Sequence, residues 1–168
     1  MSAVATVPDP RIAAAWRALE EVFDPEIPVL TVIELGIVRG VAIADDAVEI
    51  TLTPTYTGCP ATAAIALDVG RAIEGAGLGR PRLRTVTTPA WTTDWLTPRA
   101  RAKLAAAGIA PPVAGGGRAT LFAADPVVPC PRCASRATEK LAEFGATACK
   151  ALWRCTACRE PFEYFKCF

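Results

Sequence analysis

The residues of this chain with the most evident chemistry are cysteines. Cys130-Pro-Arg-Cys133 and Cys155-Thr-Ala-Cys158 are two CxxC hooks about twenty residues apart. Each hook turns tightly and aims two thiolates at one point, and two such hooks suit a single tetrahedral metal ion, usually zinc. The chain holds seven cysteines and no histidine. That excludes a Ser-His-Asp triad, a Cys-His dyad, a histidine-ligated catalytic zinc and a two-histidine-one-carboxylate iron site. Metal chemistry here must run on cysteine, with carboxylates as helpers. A structural zinc site is the first reading of the hooks; an iron–sulfur cluster on the same four thiolates, or a redox dithiol role, are the alternatives. The symmetry of the hooks favours zinc, since cluster motifs more often bunch three cysteines.

Cys59 is a different case. It lies where a loop after a strand enters a helix, and Pro60 fits the first helical turn. Free N–H groups and the helix dipole favour a thiolate there. Gly58 lets the backbone come close, and Thr55 and Thr57 bring hydroxyls. Such a thiolate serves as a nucleophile or as a ligand for a soft metal. Without a histidine base, binding or passing on a metal is the better expectation; an ordinary cysteine in a tight turn is the plain alternative. Asp24 and Glu26 bracket Pro25. They either face Cys59 and add oxygen ligands, or cap the short turn Ile33-Glu34-Leu35; the sequence leaves both open. Cys149 and Cys167 lie outside the hooks and read as small buried thiols rather than ligands.

The positioning elements follow from periodicity. Asp9 caps a first helix, Pro10 sits in its first turn, and Ile12, Trp16, Leu19 and Phe23 form its apolar stripe, up to a stop before Asp24-Pro25. An extended segment, Glu26 to Leu30, follows. Ile37–Ile43 and Val48–Leu52 read as a hairpin around Ala44-Asp45-Asp46, with Val48, Ile50 and Leu52 on one face. Cys59-Pro60 opens a second helix to about Gly75, with a stripe of Ile65, Val69 and Ile73. Arg82 to Thr87 is a third strand, and Trp91, Trp95 and Leu96 an apolar elbow. Thr97-Pro98 starts a third helix that Gly108 closes. The order α-β-β-α-β-α predicts a small α/β sandwich over residues 1–110. Pro111-Pro112 and Gly115-Gly116-Gly117 mark a Pro/Gly linker, 111–118, expected to keep two cores apart. Residues 119–168 form the zinc ribbon, which is too small to fold without its metal. Phe162, Tyr164 and Phe165 in its aromatic tail either pack the ribbon or form a docking face for a partner.

Composition bounds the rest. The chain has 168 residues, enough for one ordinary domain and a small one, and 52% are hydrophobic, although alanine supplies much of that. A net charge of +1 argues against a nucleic-acid footprint. Arg80, Arg82, Arg84, Arg99 and Arg101 read as a solvated face, with phosphate binding the sharper option. No signal-peptide pattern opens the sequence, and no run reaches the roughly eighteen apolar residues of a membrane span. Paired CxxC hooks and an odd cysteine count fit a reducing, cytoplasmic setting.

Two motifs carry a resemblance. Asp24-Pro-Glu-Ile-Pro28 with Ile33-Glu-Leu-Gly-Ile-Val38, and Leu52-Thr-Pro-Thr-Tyr-Thr-Gly-Cys-Pro60, resemble the signature of the SufT-like family of iron–sulfur assembly factors. More narrowly, Thr53–Ala61, Phe144–Leu152 and Glu160–Cys167 resemble the PaaD family, an accessory component of the bacterial phenylacetyl-CoA epoxidase system. The resemblance implies an accessory role in aerobic phenylacetate breakdown, assisting the maturation of iron or iron–sulfur centres. It makes Cys59 the candidate iron or cluster contact, with Asp24, Glu26 and Thr57 near it. It implies the other epoxidase subunits as partners, with iron–sulfur assembly proteins and a homodimer as further options. The ribbon would select the partner.

Overall fold

The computed structural model describes residues 9–113 and 126–166. Residues 114–118 of the expected linker, and Cys167, lie outside the described residues. Helix α1 spans Pro10–Leu19; the Asp9 side chain accepts from the Arg11 N–H and Pro10 occupies the first turn, as its sequence predicts. The helix ends earlier than its stripe implied. Val22 donates back to the Leu19 carbonyl, and the chain turns so that Val22 is buried while Phe23 is exposed and bridges to Thr31. The turn is anchored by Val22, which lies off the helical stripe, and not by Phe23, which continues it.

Strands β1 (Val38–Ala44) and β2 (Ala47–Leu52) form an antiparallel hairpin. Asp45 and Asp46 both take positive φ, the geometry of a two-residue hairpin turn and one that a short polar side chain tolerates. Val48, Ile50 and Leu52 are buried as alternation requires, each contributing about 1.5–3 kcal/mol if fully removed from water. Helix α2 (Ala61–Gly75) buries Ile65, Val69 and Ile73 and packs beside α1, which itself lies on the hairpin. Strand β3 (Arg82–Thr85) joins β2 in parallel and gives a three-stranded sheet in the order β1-β2-β3. The α-β-β-α-β-α order is therefore observed. The elbow is a 3-10 turn, Thr93–Trp95, where the Trp91 indole N–H donates to the Leu35 carbonyl at 2.8 Å. Helix α3 (Pro98–Ala106) begins at the Thr97 cap. Three of the five arginines are tied into the fold: Arg82 pairs with Asp45, Arg99 with Glu34, and Arg101 donates to the carbonyls of Thr93 and Pro112.

The ribbon half is a four-stranded sheet, β4-β7-β6-β5, built from β4 (Ile109–Ala110), β5 (Thr138–Ala142), β6 (Lys150–Cys155) and β7 (Pro161–Phe165). Two features differ from separate cores joined by a linker. Strand β4, directly after α3, pairs in parallel with β7 of the ribbon. Phe165 and Cys149 are buried in the same apolar cluster as Leu19, Ile50 and Trp91, whereas Ala110, Val128, Trp153, Phe162 and Tyr164 form the ribbon's own cluster. Among the described residues no helix is long and apolar enough to cross a membrane.

Candidate functional site

The two hooks converge. The Sγ atoms of Cys130, Cys133, Cys155 and Cys158 all lie within 4.8 Å of one another. Cys130 and Cys158 are 3.8 Å apart, and Cys133 and Cys155 are 3.6 Å apart. Four thiolates about 2.3 Å from a central ion form a tetrahedron with edges of about 3.8 Å, so the hooks are already spaced for one metal. Cys130 and Cys155 are buried, and Cys133 and Cys158 face outward. The Cys158 N–H donates to the Cys155 sulfur at 3.4 Å, and this bond leads the effects that lower the Cys155 pKa to about 6. Backbone donors around a hook favour the deprotonated sulfur that a metal needs.

The Cys59 site lies in the connection from β2 to α2. Gly58 takes φ +82°, Cys59 follows it, and the helix begins at Ala61 with Pro60 as its cap residue. Cys59, Asp24 and Thr53 line one small pocket of about 20 Å³, together with Thr55, Thr62 and Thr85. That volume holds roughly one water-sized occupant. Thr53 is 1% exposed, and its hydroxyl has no hydrogen-bond partner among the described residues. A buried hydroxyl without a partner costs about 1–3 kcal/mol, so it marks a place where something polar belongs.

The acidic loop settles differently from the extended segment expected over Glu26–Leu30. Asp24 Oδ1 accepts from the N–H groups of Glu26 and Ile27 at 2.8 and 2.7 Å, which folds the loop into turns. Burial pushes the Asp24 carboxyl above its ordinary range, against those two bonds and the charge of Lys150. The 33–35 turn does not use Asp24 or Glu26. Thr31 and Glu34 cap it reciprocally, each side chain accepting from the other's backbone N–H. Of the candidate residues, Asp24 does share the pocket with Cys59. Thr57 is exposed and does not line it. Glu26 does not line it either; its Oε2 lies 3.6 Å from the Cys149 sulfur.

The aromatic tail is buried within the chain, which corrects its reading as a docking face. Alternation along β7 turns Phe162 and Tyr164 into the ribbon cluster, where Tyr164 meets Trp153 edge to face, and turns Phe165 into the first core. All three are 5% exposed or less. Cys149 is a small buried thiol as expected, with burial the main cause of a pKa pushed up to about 11. Sequence reasoning missed two participants, Thr53 and Tyr56. Both stand in the quoted Leu52–Pro60 motif, and only their surroundings single them out. Burial, with Cys59, Glu26 and Cys149 close by, pushes the Tyr56 phenol up to about 12.

The fold and sites define a small α/β domain that carries a cysteine-hooked β ribbon. Residues 12–82 match the family "Iron-sulfur cluster assembly protein", and residues 115–166 match the "PaaD zinc beta ribbon domain". A protein of Escherichia coli (strain K12), provisionally named as a subunit of 1,2-phenylacetyl-CoA epoxidase, is 47% identical over 167 residues, covering 99% of both chains. The chain belongs to the PaaD family, together with that protein. An Fe-S protein maturation auxiliary factor of Porphyromonas gingivalis (strain ATCC BAA-308 / W83) is 36% identical over 90 residues, 52% of this chain and 85% of that one. A crystal structure of a domain of unknown function, DUF59, from Bacillus anthracis superposes with a TM-score of 0.53 at 26% identity, over 56% of this chain and 92% of that one.

Proposed function

We propose that the chain is an accessory protein of a phenylacetyl-CoA epoxidase system, and that it helps load iron or assemble an iron–sulfur centre in that enzyme without catalysing a step itself. The other subunits of the system are its clients, and iron–sulfur assembly proteins are its donors. Iron, or a cluster, is cargo held by Cys59 with Asp24. One zinc ion, held by Cys130, Cys133, Cys155 and Cys158, is structural.

One observation carries this reading: Cys59, Asp24 and Thr53, whose buried hydroxyl has no partner among the described residues, line one small pocket. That donor set is mixed sulfur and oxygen, and suits a borderline metal held weakly enough to hand on. The relative named as an Fe-S protein maturation auxiliary factor supports the same reading. The sequence supports the non-catalytic part. A ferritin-like di-iron oxygenase needs Glu-x-x-His pairs, and the chain contains no histidine.

The test is iron per oxygenase, purified from cells with this chain, without it, and with Cys59→Ser. Loss of the chain should leave the oxygenase made but short of iron, and Cys59→Ser should match the deletion. Equal iron and equal specific activity in all three would overturn maturation and leave a non-catalytic structural component.

A further inference from the structure

Strand β3 leaves one edge of the first sheet open. Among the described residues it pairs with β2 alone, since the strand order is β1-β2-β3. The Val86 N–H donates to the Leu52 carbonyl at 2.8 Å. Along a parallel strand the residues that turn their main chain to the partner alternate with those that turn it away. Arg82 and Arg84 therefore share the side of Val86, and Leu83 and Thr85 present their N–H and C=O groups at the open edge. All four residues of β3 are exposed. An edge of this kind is a template for another strand.

The side chains set what that strand must be. Leu83 stands in register with buried Ile50 and so lies on the core face of the sheet; Arg82 and Arg84 lie on the opposite face, in register with Glu49 and Thr51. A groove of about 360 Å³ adjoins the edge, with Leu67 and Gly70 of α2, Arg80 and Leu83 among its lining. Leu67 and Leu83 are 54% and 39% exposed, so two large apolar side chains stand uncovered there. Arg71 pairs with Asp68 and Arg82 with Asp45, whereas Arg80 and Arg84 form no ion pair among the described residues. Opposite charges across neighbouring strands stabilise a sheet and like charges destabilise it. A second copy paired antiparallel through β3 would set arginine against arginine, so the edge rejects itself and favours an acidic strand.

We propose that the open edge of β3 binds an extended segment of a partner protein in which acidic and apolar residues alternate. Its main chain bonds to Leu83 and Thr85, its apolar side chains enter the groove beside Leu67 and Leu83, and its carboxylates face Arg84 and Arg80. Thr85 both ends β3 and lines the Cys59 pocket, so the docked segment brings its protein to that pocket. That consequence rests on the reading that Cys59 handles iron; the docking itself does not.

The experiment titrates the full, zinc-loaded chain into a short fluorescent peptide of alternating glutamate and valine, with lysine in place of glutamate as the control. Anisotropy should show binding of the glutamate peptide only, weakening as salt is raised. Amide hydrogen exchange, read by NMR, should slow at Leu83 and Thr85 when the peptide is bound. Arg80→Glu with Arg84→Glu, both at exposed positions, should weaken binding about tenfold or more and turn the preference toward the lysine peptide. Cys59→Ser should bind the peptide as the wild type does, so the docking stands or falls apart from the iron reading. Equal binding of the two peptides, or binding without protection at Leu83 and Thr85, would overturn the proposal. Protection at those two amides that grows with protein concentration, without peptide, would overturn it in favour of a second copy of the chain.

Discussion

The Trp91 and Phe165 rings meet edge to face, with centroids 6.2 Å apart and planes at 63°. Trp91 belongs to the elbow of the first half and Phe165 ends the last strand of the ribbon. Phe165 is 1% exposed and sits among Leu19, Ile50 and Leu104. The ribbon thus closes the first core with its own side chain.

Truncating that plug should destabilise the whole chain. Phe165→Ala removes a large buried side chain and leaves a cavity, a change that costs about 3–5 kcal/mol. One cooperative unfolding transition is expected, shifted down as a unit. A variant whose first half melts as in the wild type would show that the contact does not couple the halves.

Metal removal should reach equally far. Cys155 ends β6 and is buried, and β6 pairs with β7, which carries both Phe165 and the partner of β4. Chelation, or Cys155→Ser, should unfold the ribbon, because a module of this size relies on its metal for folding energy. It should also lower the melting temperature of the first half by exposing the Phe165 face. Differential scanning calorimetry with and without chelator reads this, and an unchanged first-half transition would refute it.

The hooks, the hairpin and the helix starts were legible because each is local: spacing, alternation and caps act within a few residues. The end of α1 was not. Phe23 keeps the helical period, but the chain must turn to bury Val22, and burial is a tertiary demand. The tail shows the same limit. Its aromatic run cannot reveal that the two faces of β7 serve two different cores. Asp24 and Glu26 were indistinguishable in the sequence. Asp24 lines the Cys59 pocket, whereas Glu26 is set apart from it by the turn that Asp24 itself makes. The Cys149–Glu26 contact spans most of the sequence and leaves no local signature at all.

Acid stability should depend on Lys150. Burial raises the Glu163 carboxyl, but hydrogen bonds from Lys150 and the Ala146 N–H outweigh it, and the net shift is downward from 4.5. A depressed carboxyl adds stability above its unfolded pKa and loses it as pH falls through its lower folded value. Asp24 shifts upward and works the other way, gaining on protonation. Lys150→Met should cost about 3 kcal/mol near neutral pH, since it strands a partly buried carboxylate. It should also flatten the loss of stability on acidification, because Glu163 then titrates nearer its unfolded value and Asp24 is raised further. Urea unfolding at neutral and acid pH measures both; an unchanged acid slope would show the pair to be irrelevant to it.

Thr53→Val separates folding from function at the pocket. The two side chains have nearly the same shape, and the substitution removes a hydroxyl that is buried and orphaned among the described residues. Removing an unsatisfied buried polar atom relieves its desolvation cost, so the variant should be as stable as the wild type or more so, by about 1 kcal/mol. If the hydroxyl belongs to the cargo pocket, the same change should lower anaerobic Fe(II) uptake and the iron content of the oxygenase. Stability gained with activity lost is the signature of a residue kept for function rather than for the fold. A variant that loses stability and keeps full iron delivery would make Thr53 an ordinary packing residue, and would remove the observation that marks the Cys59 pocket as a site.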